Sequence, residues 1–207
     1  MWPGTLSSSG SLSTTGFRLD NGKSLTLEAP LKWSGRFWPR TGCATDSSGK
    51  FSCLSADCGS GKLECSGQGG APPATLAEFT LQGDDNKDFY DTSLVDGYNV
   101  PLSIVPQGMP ECNMTECSVD INRRCPPELQ ARAGPDGRVV GCKSACLAFG
   151  AKQYCCSEDF NDPKICKPTN YSKIFKDVCP QAYSYPYDDA TSTFTCVGAN
   201  YLIAFCP

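Results

Sequence analysis

The chain of 207 residues contains no histidine. This absence excludes the Ser-His-Asp and Cys-His arrangements, in which an imidazole base activates the nucleophile. It also excludes zinc sites that use histidine ligands. Any catalysis must therefore use carboxylates, tyrosine, lysine or arginine, and the sequence predicts neither a cofactor nor a metal site.

Long apolar runs and blocks of basic residues are missing as well. No apolar run approaches the ~18 residues of a membrane-spanning helix, so we expect no transmembrane segment. The net charge is −4 and the basic residues are scattered, which argues against a nucleic-acid partner because such a partner needs a basic surface. An acidic balance suits neutral polar or cationic ligands.

Fifteen cysteines are a very high number for a chain of this length. Their spacing is irregular and lacks paired C-x-x-C units, which indicates the disulfides of a secreted protein rather than metal clusters. Cys155 and Cys156 are expected to bond to two different partners, because adjacent cysteines rarely reach disulfide geometry with each other. The odd count leaves at least one cysteine without an internal partner.

The first residues, MWPGTLSSSG, lack the charged and apolar regions of a signal peptide. A secreted protein needs such a segment in its precursor. The missing signal and the odd cysteine count have one common explanation, and we therefore expect that an N-terminal segment is missing from this chain.

Local patterns divide the chain into three kinds of segment. Residues 17–40 carry short alternating runs broken by Asn-Gly and Ser-Gly pairs, which predicts strands joined by tight turns. Residues 41–70 hold four cysteines among small and polar residues, which predicts a loop module with two short-range disulfides. Residues 112–179 combine nine cysteines with short helical patterns, and residues 190–206 return to a strand pattern that we expect to rejoin the first sheet.

Two β patterns stand out between residues 76 and 104. Ala77, Phe79 and Leu81 alternate with Glu78, which predicts a strand with one buried face. The following Asp-Gly pair separates two strand-like runs and predicts a β-hairpin. In that hairpin one face would be shared by Tyr98, Val100, Leu102 and Ile104.

The strongest helical pattern is TNYSKIFKDVCP. Thr169 or Asn170 can cap its start, and Pro180 ends it. Its apolar stripe is interpreted as core packing and consists of Tyr171, Ile174, Phe175 and Val178.

A series of blocks, in order, resembles the thaumatin-like proteins, the plant pathogenesis-related group that includes osmotin-type antifungal proteins. The blocks are WPGTLS, GRFWPRTGC, DCGSGKLEC, PPATLAEFTL, DFYDTSLVDGYNVP, QYCC, CKPTNYSKIFKDVCPQAYSYPYDDATSTFTC and NYLIAFCP. The resemblance implies a mainly β fold, with a thaumatin-like β-sandwich core and two disulfide-rich satellite domains, one with short helices. The expected ranges are 1–40, 76–118 and 180–207 for the core, 41–75 for the small loop module and 119–179 for the helix and loop domain.

The resemblance also implies a disulfide pattern. The family normally has sixteen cysteines, and its first strand, before W-P-G, carries a cysteine that bonds to the last one. This chain begins at W-P-G and so lacks that strand and that cysteine, which leaves Cys206 unpaired. The implied pairs are Cys43–Cys53, Cys58–Cys65, Cys112–Cys196, Cys117–Cys179, Cys125–Cys142, Cys146–Cys155 and Cys156–Cys166.

Members of the family carry an arginine and four acids that line a cleft between the sandwich and the larger satellite. Matched residue by residue, the cleft would consist of Arg36, Glu78, Asp91, Asp96 and Asp189, with Asp188 as a near alternative to Asp189. Asp96 also has a purely structural interpretation, because an Asp-Gly pair favours a turn by itself. The nearby acids Asp84, Asp85 and Asp88 are interpreted as a solvated loop.

The resemblance implies a secreted plant defence protein with antifungal activity, extracellular in the apoplast or vacuolar, and monomeric by default. Its cleft would bind β-1,3-glucan or another fungal cell-wall or surface component. The alternative is a weak endo-β-1,3-glucanase with Glu78 as the acid and Asp96 as the nucleophile or base, since glycoside hydrolysis needs two carboxyl groups. Inhibition of a microbial glycosidase ranks below both. Binding is favoured because many relatives are antifungal without clear hydrolysis.

Two sequons predict glycan sites in a secreted chain. Asn113 begins the first, Asn-Met-Thr, and Asn170 begins the second, Asn-Tyr-Ser. Helix capping is the rival role for Asn170.

Overall fold

The computed structural model describes all residues from 1 to 207. Twelve short strands and four short α-helices form in the order β-rich, helical, β-rich. The strands are β1 (Trp2–Ser9), β2 (Ser34–Arg40), β3 (Ala44–Thr45), β4 (Phe51–Ser52), β5 (Leu76–Thr80), β6 (Asp88–Ser93), β7 (Leu102–Gln107), β8 (Thr115–Cys117), β9 (Gln130–Ala133), β10 (Arg138–Cys142), β11 (Phe194–Cys196) and β12 (Asn200–Phe205). The helices are α1 (Ala145–Phe149), α2 (Lys152–Cys155), α3 (Asn170–Lys176) and α4 (Asp189–Ser192). None of these helices has the length and apolar character to cross a membrane.

Two antiparallel sheets build the sandwich. One has five strands in the order β1-β2-β5-β6-β11, and the other has three in the order β12-β7-β8. Phe79 and Tyr90 from the first sheet pack with Leu102 and Ile104 from the second, and all four are buried. The mainly β fold predicted from the sequence is confirmed.

The alternation predicted around Glu78 is present in β5. Ala77 and Phe79 are buried in the core between the sheets, while Thr80 is exposed. Glu78 faces the opposite side of the sheet, because successive side chains of a strand point to opposite faces. This alternation places a carboxylate on the outer face of a sheet whose inner face is apolar.

The predicted hairpin is wrong, because the Asp-Gly turn joins two different sheets. The Gly97 amide donates to the Leu94 carbonyl at 2.9 Å, so the turn itself forms. The chain then leaves the five-stranded sheet, held by the buried side chain of Asn99. This side chain accepts from the Thr75 amide at 3.0 Å and donates to the Pro39 carbonyl at 2.7 Å. These distant partners, which a local turn signal does not encode, direct β7 into the second sheet.

The helical part has its own core. Tyr98 packs in that core and not beside Leu102, with which it was predicted to share a strand face. Helix α3 confirms the predicted pattern, since Phe175 is buried there. Its N-cap is Thr169, which forms a capping box with Ser172. Asn170 is the first helical residue and is exposed, so it does not cap the helix.

Residues 17–33 do not form the predicted strands. Only Ser34–Arg40 of the segment is a strand, and Leu25 and Leu31 are 49% and 81% exposed. An alternating run becomes a stable strand only when it has neighbours to pair with. Only the start of this segment has one, because the amides of Phe17 and Leu19 donate to the Pro3 and Met1 carbonyls, whereas residues 20–32 pair with no strand.

Seven disulfides cross-link the chain, and they are the pairs that the resemblance implies. The structure contains Cys43–Cys53, Cys58–Cys65, Cys112–Cys196, Cys117–Cys179, Cys125–Cys142, Cys146–Cys155 and Cys156–Cys166. Cys206 is an exposed free thiol beyond β12, which is an outer strand of the three-stranded sheet. Asn113 is exposed just before β8.

Candidate functional site: an acidic cleft on the five-stranded sheet

A row of charged side chains crosses the outer face of the five-stranded sheet. Arg36 on β2 lies directly opposite Glu78 on β5, and Glu78 lies directly opposite Asp91 on β6. Residues opposite one another on neighbouring strands share a face and have Cβ atoms about 5 Å apart. The sheet register therefore gathers one cation and two carboxyl groups in a single line.

Two further acids approach this row from other elements. Asp96 lies in the turn after β6, and its Oδ2 is 3.9 Å from Nη1 of Arg36. Asp189 begins α4, and its Oδ1 accepts a hydrogen bond from the Tyr183 hydroxyl at 2.8 Å. The five residues that the family resemblance assigns to a cleft all line one open cavity of about 690 Å³: Arg36, Glu78, Asp91, Asp96 and Asp189.

The turn that presents Asp96 requires glycine at the next position. Gly97 has a φ of +84°, and a Cβ there would lie 2.6 Å from the Cys142 carbonyl oxygen. The Asp96 carbonyl also accepts from the Ala74 amide at 3.1 Å. The structural interpretation of the Asp-Gly pair is therefore compatible with a place in the cleft, because the backbone forms the turn and leaves the carboxylate free.

Tyr183 is a cleft residue that the sequence reasoning missed. Its amide donates to the Thr92 carbonyl and its carbonyl accepts from the Leu94 amide, both at 2.9 Å, so the segment runs beside β6. Burial raises the pKa of Tyr183 above its usual value, so the hydroxyl remains a donor at physiological pH. The available sequence signal was the group of three tyrosines in AYSYPYDD, directly before the Asp188-Asp189 pair.

Asp188, the near alternative to Asp189, has a structural role instead. Its Oδ2 accepts from the amide and the hydroxyl of Ser184, each at 2.9 Å, and pairs with Nζ of Lys176 at 2.9 Å. The hydrogen bonds and the ion pair of the Asp188 carboxylate therefore stabilise the segment before α4. Asp189 is therefore the one of the two that faces the cleft.

The loop acids divide into two kinds. Asp84 and Asp85 are exposed, as expected for a solvated loop. The same interpretation is wrong for Asp88, which is buried and accepts from the Gln82 amide and the Tyr201 hydroxyl, each at 2.9 Å. The bond to Tyr201 on β12 joins the two sheets, which explains why a charged side chain begins β6.

Burial and mutual repulsion perturb the two central carboxyl groups. Burial raises the pKa of Asp91 to about 8, and the charges of Glu78 and Asp189 add to this shift. Burial also raises the pKa of Glu78, while Arg36 opposes the shift and Asp96 adds to it. The Oδ1 atom of Asp91 is buried without a hydrogen-bond partner. Burial and the neighbouring negative charges therefore both raise the pKa of Asp91.

This arrangement offers several carboxyl groups and the aromatic side chain of Tyr183. Carboxylates accept hydrogen bonds from hydroxyl groups, and the ring of Tyr183 presents an apolar body with a polar tip. No group of three or more Cys, Asp or Glu side chains in the chain is arranged to hold a metal ion. The geometry suits a neutral polyhydroxylated ligand or a cationic group.

Comparisons with known proteins agree on one family. A model of the thaumatin family matches residues 1–207. The chain is 55% identical over 211 residues to a protein of Prunus avium named glucan endo-1,3-beta-glucosidase, covering 100% of this chain and 86% of that protein. It is 55% identical over 210 residues to the pathogenesis-related thaumatin-like protein 3.5 of Cryptomeria japonica, covering 100% and 85%. The solved structure of the thaumatin-like xylanase inhibitor TLXI matches with a TM-score of 0.51 and 21% identity, covering 100% and 91%, and supports the fold alone.

Proposed function

Because this chain belongs to the thaumatin family, we propose that it is a plant defence protein with antifungal activity whose acidic cleft binds β-1,3-glucan of fungal cell walls. The observation that carries the proposal is the row of Arg36, Glu78 and Asp91 across three strands. A sheet that places charges on its outer face in register provides a rigid binding surface.

The size of the cleft supports a small stretch of polysaccharide as the ligand. Its volume of about 690 Å³ lies within the range of roughly 300–1,000 Å³ that is typical of ligand sites. The cleft is open to solvent, so a segment of a longer sugar chain can bind in it.

The chemistry of the lining also favours a neutral sugar chain. Asp96 and Asp189 present carboxylate acceptors for sugar hydroxyls, and Tyr183 offers a ring face. Arg36 offsets part of the negative charge through its contact with Asp96. A neutral ligand avoids the cost of bringing another charge into this partly buried site.

The second candidate is a weak endo-β-1,3-glucanase, and a specific observation favours it. Glycoside hydrolysis uses one protonated and one ionised carboxyl group on either side of the scissile bond. The raised pKa of Glu78 suits the acid, and Asp96 is the assigned nucleophile or base. The Prunus avium relative is named for this activity.

Secretion follows as part of the same proposal. Seven disulfides persist in an oxidising compartment and are rare in the cytosol. The apoplast and the vacuole are the compartments in which a plant defence protein would meet a fungal wall.

The test incubates the protein with insoluble linear β-1,3-glucan and measures both pelleted protein and released reducing ends. We expect the wild-type protein to pellet with the glucan and Glu78→Gln to pellet about tenfold less tightly, because the amide replaces an acceptor in the centre of the row. Asp84→Asn, which removes an exposed acid outside the cleft, is the charge-matched control and should behave as wild type.

Three outcomes separate the candidate functions. Pelleting without released sugar supports binding alone. Released sugar that Glu78→Gln abolishes even at glucan concentrations high enough to pellet the variant supports the glucanase. Neither pelleting nor release contradicts both glucan functions and favours a protein partner, such as a microbial glycosidase.

A further inference from the structure

The carboxyl group of Asp91 occupies an unusual position in the cleft. Its Oδ1 atom is buried and makes no hydrogen bond, and Asp91 takes part in none of the ion pairs of the chain. Asp91 as a whole is half-buried. An ionised carboxylate with one oxygen buried and unpaired is costly, which favours a proton on the group. The directly opposite residue on β5 is a second carboxyl group, that of Glu78.

We propose that Asp91 and Glu78 hold one proton between them in the free protein, and that this proton makes the cleft select neutral polyhydroxylated ligands over cationic ones. The inference rests on the proposed function, since it concerns the same cleft, and it adds a specificity and a pH dependence to it. Two carboxyl groups that share a site ionise one at a time, because the first negative charge disfavours the second. We expect the same of Asp91 and Glu78, which lie opposite each other on neighbouring strands.

The groups around the pair are consistent with a proton on Asp91. Arg36, on the far side of Glu78, contacts Asp96 at 3.9 Å and so leaves Asp91 without a cation. Asp189 on α4 adds negative charge, and its Oδ1 is engaged by the Tyr183 hydroxyl. These charged and titratable groups come from β2, β5, the turn after β6, α4 and the segment before α4. None of them places a positive charge beside Asp91 that would favour its ionised form.

Opposite pH dependences follow for the two classes of ligand. A glucan that covers the cleft removes water from it, which disfavours the charged form of Asp91 further. Glucan binding is therefore coupled to the protonated pair and weakens as pH rises through the pKa of Asp91, by up to about tenfold per pH unit for one linked proton. A cationic ligand is attracted by the ionised pair, so its binding strengthens over the same range.

The first experiment measures the proton itself. The carboxyl carbon of Asp91 is followed by ¹³C NMR from about pH 4 to about pH 10 in the wild-type protein without ligand. We expect a midpoint near 8, and a lower midpoint in Glu78→Gln because that variant removes the neighbouring charge. An Asp91 midpoint near 4 would overturn the inference.

The second experiment measures the affinities for a soluble β-1,3-glucan hexasaccharide and for hexalysine from about pH 6 to about pH 9. We expect the ratio of the two affinities to fall as pH rises in the wild-type protein and in the charge-matched control Asp84→Asn. Asp91→Asn, which is neutral at every pH, should show at most a threefold change in the ratio over this pH range, whatever its absolute glucan affinity. A ratio that is independent of pH in the wild type would overturn the inference.

The two experiments also distinguish the failure of this inference from that of the proposed function. A midpoint near 8 without glucan binding at any pH supports the shared proton and contradicts the glucan function. Glucan binding with a midpoint near 4 supports the glucan function and contradicts the shared proton.

Discussion

Replacing Arg40 with leucine is expected to lower the free energy of unfolding by about 3–5 kcal/mol. Arg40 is completely buried. Its Nε donates to the Trp2 carbonyl at 2.9 Å, and its Nη2 donates to the carbonyls of Leu63 at 2.7 Å and Pro3 at 3.3 Å. The variant removes the arginine donor from the Trp2 and Leu63 carbonyls, while the Pro3 carbonyl keeps the Phe17 amide as a donor. An unsatisfied buried polar group costs about 1–3 kcal/mol.

The measurement is denaturant unfolding with the disulfides intact, compared with Arg18→Leu. Arg18 is exposed and pairs with Asp20 at 2.7 Å, and a surface pair of this kind contributes at most about 1 kcal/mol. Equal stabilities of the two variants would contradict the proposed role of Arg40, which is to hold β1 and the loop module against β2 through hydrogen bonds to Trp2, Pro3 and Leu63.

Asp91→Asn is expected to stabilise the protein increasingly as pH rises. Burial raises the pKa of Asp91 to about 8 in the folded protein, whereas an aspartate in an unfolded chain has a pKa of about 3.9. Between these values the folded state binds more protons than the unfolded state, so the stability from Asp91 is complete below about pH 4 and is lost as pH rises through about 8. Asparagine does not ionise, so the variant does not lose free energy of unfolding in this way as pH rises.

The variant should therefore be about as stable as the wild type at low pH and more stable, on the order of several kcal/mol, above about pH 9. Unfolding curves at both extremes check this, with Asp84→Asn as a control because Asp84 is exposed. A stability difference between Asp91→Asn and the wild type that stays constant across the range would show that Asp91 ionises normally.

The sequence predicted those elements whose signal is local. The alternation around Glu78 gave β5, because one strand face packs on the core and the other does not. The period of Tyr171, Ile174 and Phe175, with a cap before it, gave α3. The disulfide pairs and the members of the cleft came from the family resemblance, since spacing alone leaves many connectivities open.

The features that escaped prediction depend on distant partners. Asn99 converts an apparent hairpin into a crossing between sheets through bonds to Thr75 and Pro39. Asp88 is buried because Tyr201, 113 positions away, donates to it. The contacts of Arg40 and the place of Tyr183 beside β6 likewise have no local sequence pattern.

The proposed binding of β-1,3-glucan in the acidic cleft can be located by amide chemical shifts measured on adding the glucan hexasaccharide. A rival surface for a sugar is the aromatic group of Phe149, Tyr154 and Tyr171, in which the ring centroids of Phe149 and Tyr171 are 5.0 Å apart. We predict that the largest shifts occur at Glu78, Asp91 and their neighbours on β5 and β6. Shifts centred on the aromatic group, with the cleft amides unmoved, would contradict the account.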